Sequence, residues 1–193
     1  MVENYKGRPF QDAKHDGKAQ RIPGRVMCAY YDLGGEGVAY HDTTKENHGS
    51  GMLNPANGDY LNEFRMNESV DTSFTKPDFD ATEKNLVNPE LKMFYVGWTD
   101  EGEWLNYTVE VEKSGSYSVD FLFSAAVDAA ISLSVDHKDA TGRIAVPSTT
   151  HPHIWNRLNA TATFYLEKGT HLLTLHTAEK GLMNYAFLEF KLV

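Results

Sequence analysis

The chain has 193 residues, 41% of them hydrophobic and 12% aromatic, which is enough for one good core and short for two. A formal net charge of −9 argues against gripping nucleic acid or an anionic membrane through a basic patch. No apolar run reaches bilayer length, and the single cysteine, Cys28, excludes an internal disulfide. The opening MVENYKGRPF carries no apolar signal core, so composition leaves the compartment open.

Residues 1–21 are polar and aperiodic, and read as a linker or a strap laid over a neighbouring surface. Arg25 to Tyr31 predicts a first short strand. It is followed by LGGEGVAYHDTT, a Gly-rich turn region holding Tyr40, His41 and Asp42. A long insertion of about 45–92 is then dense in turn chemistry (NHGSG, NPANGD, KPDFD, NPE), with a strand hint only at Glu63 to Asp71. The stretch VGWTDEGEWLNYTVEV, beginning at Val96, enters a strand through a Gly-bearing acidic turn. Leu105, Tyr107, Val109 and Val111 fall on one face, and Asn106, Thr108 and Glu110 on the other.

The same period of two recurs downstream. Tyr117, Val119, Phe121 and Phe123 alternate, as do Ile131, Leu133 and Val135, then Ala162, Phe164 and Leu166. In the last strand Ala186, Leu188, Phe190 and Leu192 share a face opposite Tyr185, Phe187 and Glu189. Short alternating strands separated by turns predict an all-β antiparallel β-sandwich.

Chemistry-bearing patterns are sparse. The histidines at 151, 153, 171 and 176 lack a Cys or clustered carboxylate to complete a ligand set, so no metal site is expected from them. Glu101 with Glu103, or Asp42 with Glu36, could pair for glycoside hydrolysis, but both pairs sit in charged turns and catalysis has little support. Glycosylation sequons at Asn67, Asn106 and Asn159 read as chance matches. What remains is aromatics with polar company. Tyr40 follows the Gly-rich turn, Trp155 follows a His-Pro loop, and Asn184 opens the last strand. Aromatic faces stack on the C–H faces of sugars while amides and imidazoles read hydroxyls. Trp155 as a plain core residue stays open beside that reading.

These stretches resemble family 6 carbohydrate-binding modules. IPGRVMCAYYDLGGEGVAYHDTT matches the family's opening, VGWTDEGEWLNYTVEVEKSGSYSVDFLFS its middle, and KGTHLLTLHT with MNYAFLEFKLV its end. The likeness spans 22–193, and the long spacer resembles a subgroup appended to glycoside hydrolases of Bacteroidetes. The resemblance implies a jelly-roll sandwich of the galactose-binding-like type that binds polysaccharide or oligosaccharide without catalysis. It also implies a covalently linked glycoside hydrolase and a secreted, periplasmic or cell-surface setting. The sugar cleft it implies falls on Tyr40, Trp155 and Asn184 at one rim, with Glu36, His41 and His153 as further polar contacts. A structural calcium is common in the family. Here Met27 and Ala29 stand where its two Glu ligands are expected, so no calcium is expected there. The alternative is a structural or protein-interaction sandwich without sugar binding.

Overall fold

Strands that are apolar at every second position can bury only one face, so they pair into sheets and the sheets stack. The computed structural model, which describes residues 4–193, has two such sheets closed on one core. The first sheet runs Gln20–Ile22, Trp104–Val111, Gly169–Glu179, Ala129–Val135, Lys138–Asp139. Tyr40–His41 lies beside Trp104–Val111, and Ile144–Val146 beside Ala129–Val135. The second runs Asn156–Leu166, Gly115–Ala125, Met183–Leu192, Phe94–Val96, Thr72–Phe74, with Gly24–Met27 along Met183–Leu192. From Trp104 onward the long strands alternate between sheets, which is the jelly-roll winding. Among the described strands, pairing is antiparallel apart from the edge where Gln20 faces Val109 and the short Ser50–Gly51 with Asn54–Pro55.

The alternating faces fall as their periodicity requires. Tyr107, Val109 and Val111 meet Tyr117, Val119, Phe121, Phe123, Ile131 and Leu133 in the core. The polar face of Trp104–Val111 is not left to solvent, however. Asp32 accepts from the Thr108 N–H at 2.8 Å and its hydroxyl at 2.6 Å, and Tyr5 donates to Asp32 at 2.9 Å, so Asn106 and Thr108 are buried too. The described part of the N-terminal segment is packed down. Arg8 and Leu33 exchange backbone bonds, and Phe10 stacks on Tyr30 with centroids 5.5 Å apart.

Three local expectations are corrected. The first strand of the second sheet ends at Met27, and Cys28–Tyr30 forms a 3-10 turn, because pairing with Met183–Leu192 stops opposite Phe187. Glu63 to Asp71 is not a strand; one helical turn at Tyr60–Glu63 precedes bends, and pairing begins at Thr72. In the last strand a β-bulge lies between Tyr185 and Phe187. Tyr185, Leu188 and Phe190 face the core, while Ala186 and Phe187 face out into a second apolar cluster. One extra residue reverses the alternation upstream of it.

That outer cluster, of Met93, Tyr95, Leu122, Trp155, Ala186 and Phe187, is roofed by the insertion. Leu86 and Val87 N–H groups bond the Trp155 carbonyl, Asn85 accepts from its N–H at 3.0 Å, and Asp80 takes its indole N–H at 2.8 Å. Upstream, buried Asn47 orders the insertion. Its Oδ1 accepts from the N–H groups of Gly49, Ser50 and Thr72. Gly49 has no room for a side chain, since a Cβ would sit 2.0 Å from the Thr72 carbonyl oxygen.

On the outer face of the second sheet, Asp120 binds Arg157 at 2.6 Å and Lys191 at 2.6 Å, and accepts the Ala160 N–H. Burial pushes its carboxyl up, but these three contacts together hold it below its ordinary 3.8. A depressed carboxyl stabilises the fold above its unfolded value, and that contribution disappears as pH falls through the folded one. Asp120→Asn is therefore expected to cost about 2 kcal/mol at neutral pH, less than a fully buried pair because Arg157 keeps solvent contact. In urea melts below about pH 4 the gap between wild type and variant should close. A gap that stays constant down to strong acid would contradict this.

Candidate functional site

The bulge decides where Asn184 points. Counting back from the core residues Phe190 and Leu188, simple alternation would turn Asn184 inward. The added residue turns it outward, with Met183 and Tyr185 taking the core side. There it meets the end of Phe94–Val96. Gly97 passes so close that a Cβ would stand 2.6 Å from Asn184 Oδ1 and 3.2 Å from the Tyr95 ring, so only glycine fits. The next residue, Trp98, adopts a left-handed backbone (φ 51°) and is 39% exposed, with its indole edge against Gly49.

A pocket of about 290 Å³ opens between these ends, lined by Tyr95, Trp98, Pro152, His153, Leu182 and Asn184. Leu182 is also left-handed (φ 46°) and exposed. The two strained rim residues are pinned by one buried side chain, Thr99, whose hydroxyl donates to the Met183 carbonyl at 3.1 Å and accepts its N–H at 3.2 Å. Asn184 donates its amide to the Pro152 carbonyl, which also accepts from Ser124. His153 is oriented by Asp80, with Nδ1 at 2.9 Å from Oδ1, and its ring lies 5.8 Å from exposed Phe79. The pocket thus combines an exposed indole, apolar walls, one amide and one imidazole.

Carboxyls lie behind the Trp98 turn. Burial pushes Asp71, Glu103 and Asp42 up, and their mutual repulsion adds to the shift. Asp71 sits closest, its backbone carbonyl accepting the Gly97 N–H at 2.9 Å and its side chain pairing with His48. Asp100 is held low by its bond from Lys180.

Of the residues singled out from sequence, Asn184 and His153 line this pocket. The expectation that Tyr40 and Trp155 join them as stacking platforms is corrected, because both rings are buried and offer no face to a ligand. Tyr40 belongs to the first sheet, opposite Leu105, and packs edge-on against Tyr31. Trp155 is 0% exposed beneath the insertion. Glu36 and His41 form an exposed pair at 2.5 Å beside Trp104, away from the pocket lining. The aromatic that sequence reading passed over is Trp98. Its signal was present, since a Trp in a Gly-Trp-Thr-Asp turn has no strand face to bury it. Asp80 was also missed, inside KPDFD, which reads as ordinary turn chemistry.

Ala29 is buried in the core and half-buried Met27 packs on the outer cluster, so neither position offers an oxygen side-chain donor. They do not fit the hard calcium that the resemblance implies.

Curated proteins gave no match to this chain. Among solved structures it is similar to a family 6 module of Clostridium stercorarium in complex with cellobiose (TM-score 0.59, 13% identity, 92% of this chain and 100% of that one). It is also similar to a β-1,3-glucan-binding family 6 module of Bacillus halodurans (TM-score 0.56, 14% identity, 90% and 99%). A family 43 arabinoxylan arabinofuranohydrolase of Bacillus subtilis matches over 96% of this chain and 33% of its own length, at TM-score 0.57 and 12% identity. At such identities these likenesses show the sandwich fold. The model of the carbohydrate binding module (family 6) matches residues 80–191, more than half the chain. The chain belongs to this family of non-catalytic carbohydrate-binding modules.

Proposed function

We propose that the pocket between Trp98 and Asn184 is the saccharide site, and that the chain holds polysaccharide or oligosaccharide there without cleaving it. One observation carries this reading: an exposed, backbone-strained indole stands beside a buried amide in a pocket of about 290 Å³. That is near the low end of small-molecule sites, with apolar area for a sugar's C–H face and few polar groups to fix its orientation. The neighbours solved with cellobiose and described as binding β-1,3-glucan support the ligand class. The match to part of the Bacillus subtilis hydrolase supports an accessory role beside a linked glycoside hydrolase. Polymeric glycans lie outside cells, which supports a secreted, periplasmic or cell-surface setting. Binding is proposed not to need calcium at Met27 and Ala29.

A protein-interaction role is favoured by the exposed Met52, Leu53, Phe79 and Leu86 of the insertion. The two readings separate cleanly, since removing Trp98 alters none of those side chains.

Affinity electrophoresis on cellulosic, laminarin and xylan gels tests the site. Trp98→Ala is expected to weaken retention on the gel that retards wild type by about 1–3 kcal/mol with the melting temperature little changed. Trp155→Phe is expected to do the reverse, losing the indole bond to Asp80 and about 1–2 kcal/mol of stability while keeping retention. Retention unchanged in Trp98→Ala and lost in Trp155→Phe would reject the assignment. Thr99→Val removes both bonds to Met183 and should weaken retention several-fold through a loosened rim. Chelator is expected to leave wild-type retention as it is; a loss on chelation would point to a metal in binding.

A further inference from the structure

We infer that Asp80 is a positioning residue that fixes the His153 imidazole as a hydrogen-bond acceptor, and that the pocket therefore takes a neutral sugar ring presenting hydroxyl donors in preference to a uronate. This rests on the saccharide reading above and names the ligand class within it.

Asp80 ends the one-turn helix Pro77–Asp80 and is 1% exposed. Its Oδ2 accepts the Lys76 N–H at 2.7 Å, and its Oδ1 lies 2.8 Å from Trp155 Nε1 and 2.9 Å from His153 Nδ1. An indole N–H can only donate, so Oδ1 is an acceptor, and the imidazole nitrogen facing it must carry a proton. The bond at Nδ1 thereby decides the other nitrogen, since a neutral ring protonated at Nδ1 keeps a lone pair at Nε2. No described residue bonds Nε2.

Asn184 is fixed by the same logic. The Pro152 carbonyl can only accept, so the amide nitrogen faces it and Oδ1 is left free, with no donor among the described residues. The two residues that carry these unpaired acceptors, His153 at Nε2 and Asn184 at Oδ1, thus line one pocket with Trp98. Hydroxyl groups of a neutral ring satisfy them. A uronate at the same place brings acceptor-only oxygens and a negative charge, toward a turn already backed by Asp71, Glu103 and Asp42. Leaving buried acceptors unpaired is what makes a polar site discriminate strongly.

The test has two arms. A two-bond ¹H–¹⁵N spectrum of labelled wild type at about pH 8, above the ordinary imidazole range, should show His153 protonated at Nδ1 only. Asp80→Ala, which removes the acceptor facing Nδ1, should let the proton move to Nε2, the tautomer an untethered neutral imidazole prefers. A proton on Nε2 in wild type, as the other tautomer or as imidazolium, overturns the Asp80 assignment. In the second arm, calorimetry compares cellohexaose and laminarihexaose with their C6-oxidised glucuronate forms. Wild type is expected to favour a neutral hexaose over its uronate roughly tenfold or more, and Asp80→Ala to erode that ratio. Equal or tighter binding of the uronate overturns the ligand class. Trp98→Ala should lower both affinities together, and its failure to do so strikes the saccharide site itself. If wild type binds none of the four, the ligand half falls with the saccharide reading, and the spectrum still decides the Asp80 half.

Discussion

A carboxylate taken out of water must find donors or not be charged at all, and Asp80 meets that demand with three. Much of the outer layer follows. The indole of Trp155 is held in the cluster on the outer face of the second sheet, the insertion is drawn over it, and the His153 ring is tethered to the same oxygen. A tryptophan on the outside of a sheet would otherwise be an exposed apolar surface. Here it is the floor of a third layer built from sequence that carries almost no regular secondary structure. The buried carboxylate thus links fold and site, since the same oxygen serves a core residue and a pocket residue.

The second constraint is the bulge in the last strand. Without it Asn184 would point into the sandwich, where an amide without partners costs roughly 1–3 kcal/mol. With it the amide emerges at the strand's opening, where Gly97 can slide past and place Trp98 alongside. A one-residue irregularity therefore converts a core position into a pocket position, in keeping with the tendency of bulges to sit beside functional sites.

The sandwich was legible in the sequence because alternation is a local signal, and Tyr107, Val109, Tyr117, Val119, Phe121 and Phe123 obey it. The layer over the polar face was not, since Asn106 and Thr108 look solvent-facing until Asp32 and Tyr5 are brought to them from far along the chain. The same limit misplaced the aromatic platforms. Trp155 and Trp98 each follow a turn, and nothing near Trp155 announces that Asp80, 75 residues earlier, will cover it. Trp98 carried the better local signal: a bulky ring in a glycine turn, with no strand face available to bury it. Tyr40 misled for the opposite reason, as two residues of pairing with the Trp104–Val111 strand suffice to carry it into the core.

Rigid rims explain how so small a pocket can bind at all. Left-handed backbone at bulky residues costs of order 1–3 kcal/mol each, and Trp98 and Leu182 both adopt it in the lining of the pocket. Such conformations persist only when their surroundings over-determine them. Thr99 does so for both, because it follows Trp98 in the chain and clamps Met183, which follows Leu182. Gly97 is fixed in turn by the Asp71 carbonyl. The ordering cost of these residues is thus met during folding rather than on binding, which raises the affinity that one indole and two acceptors can reach.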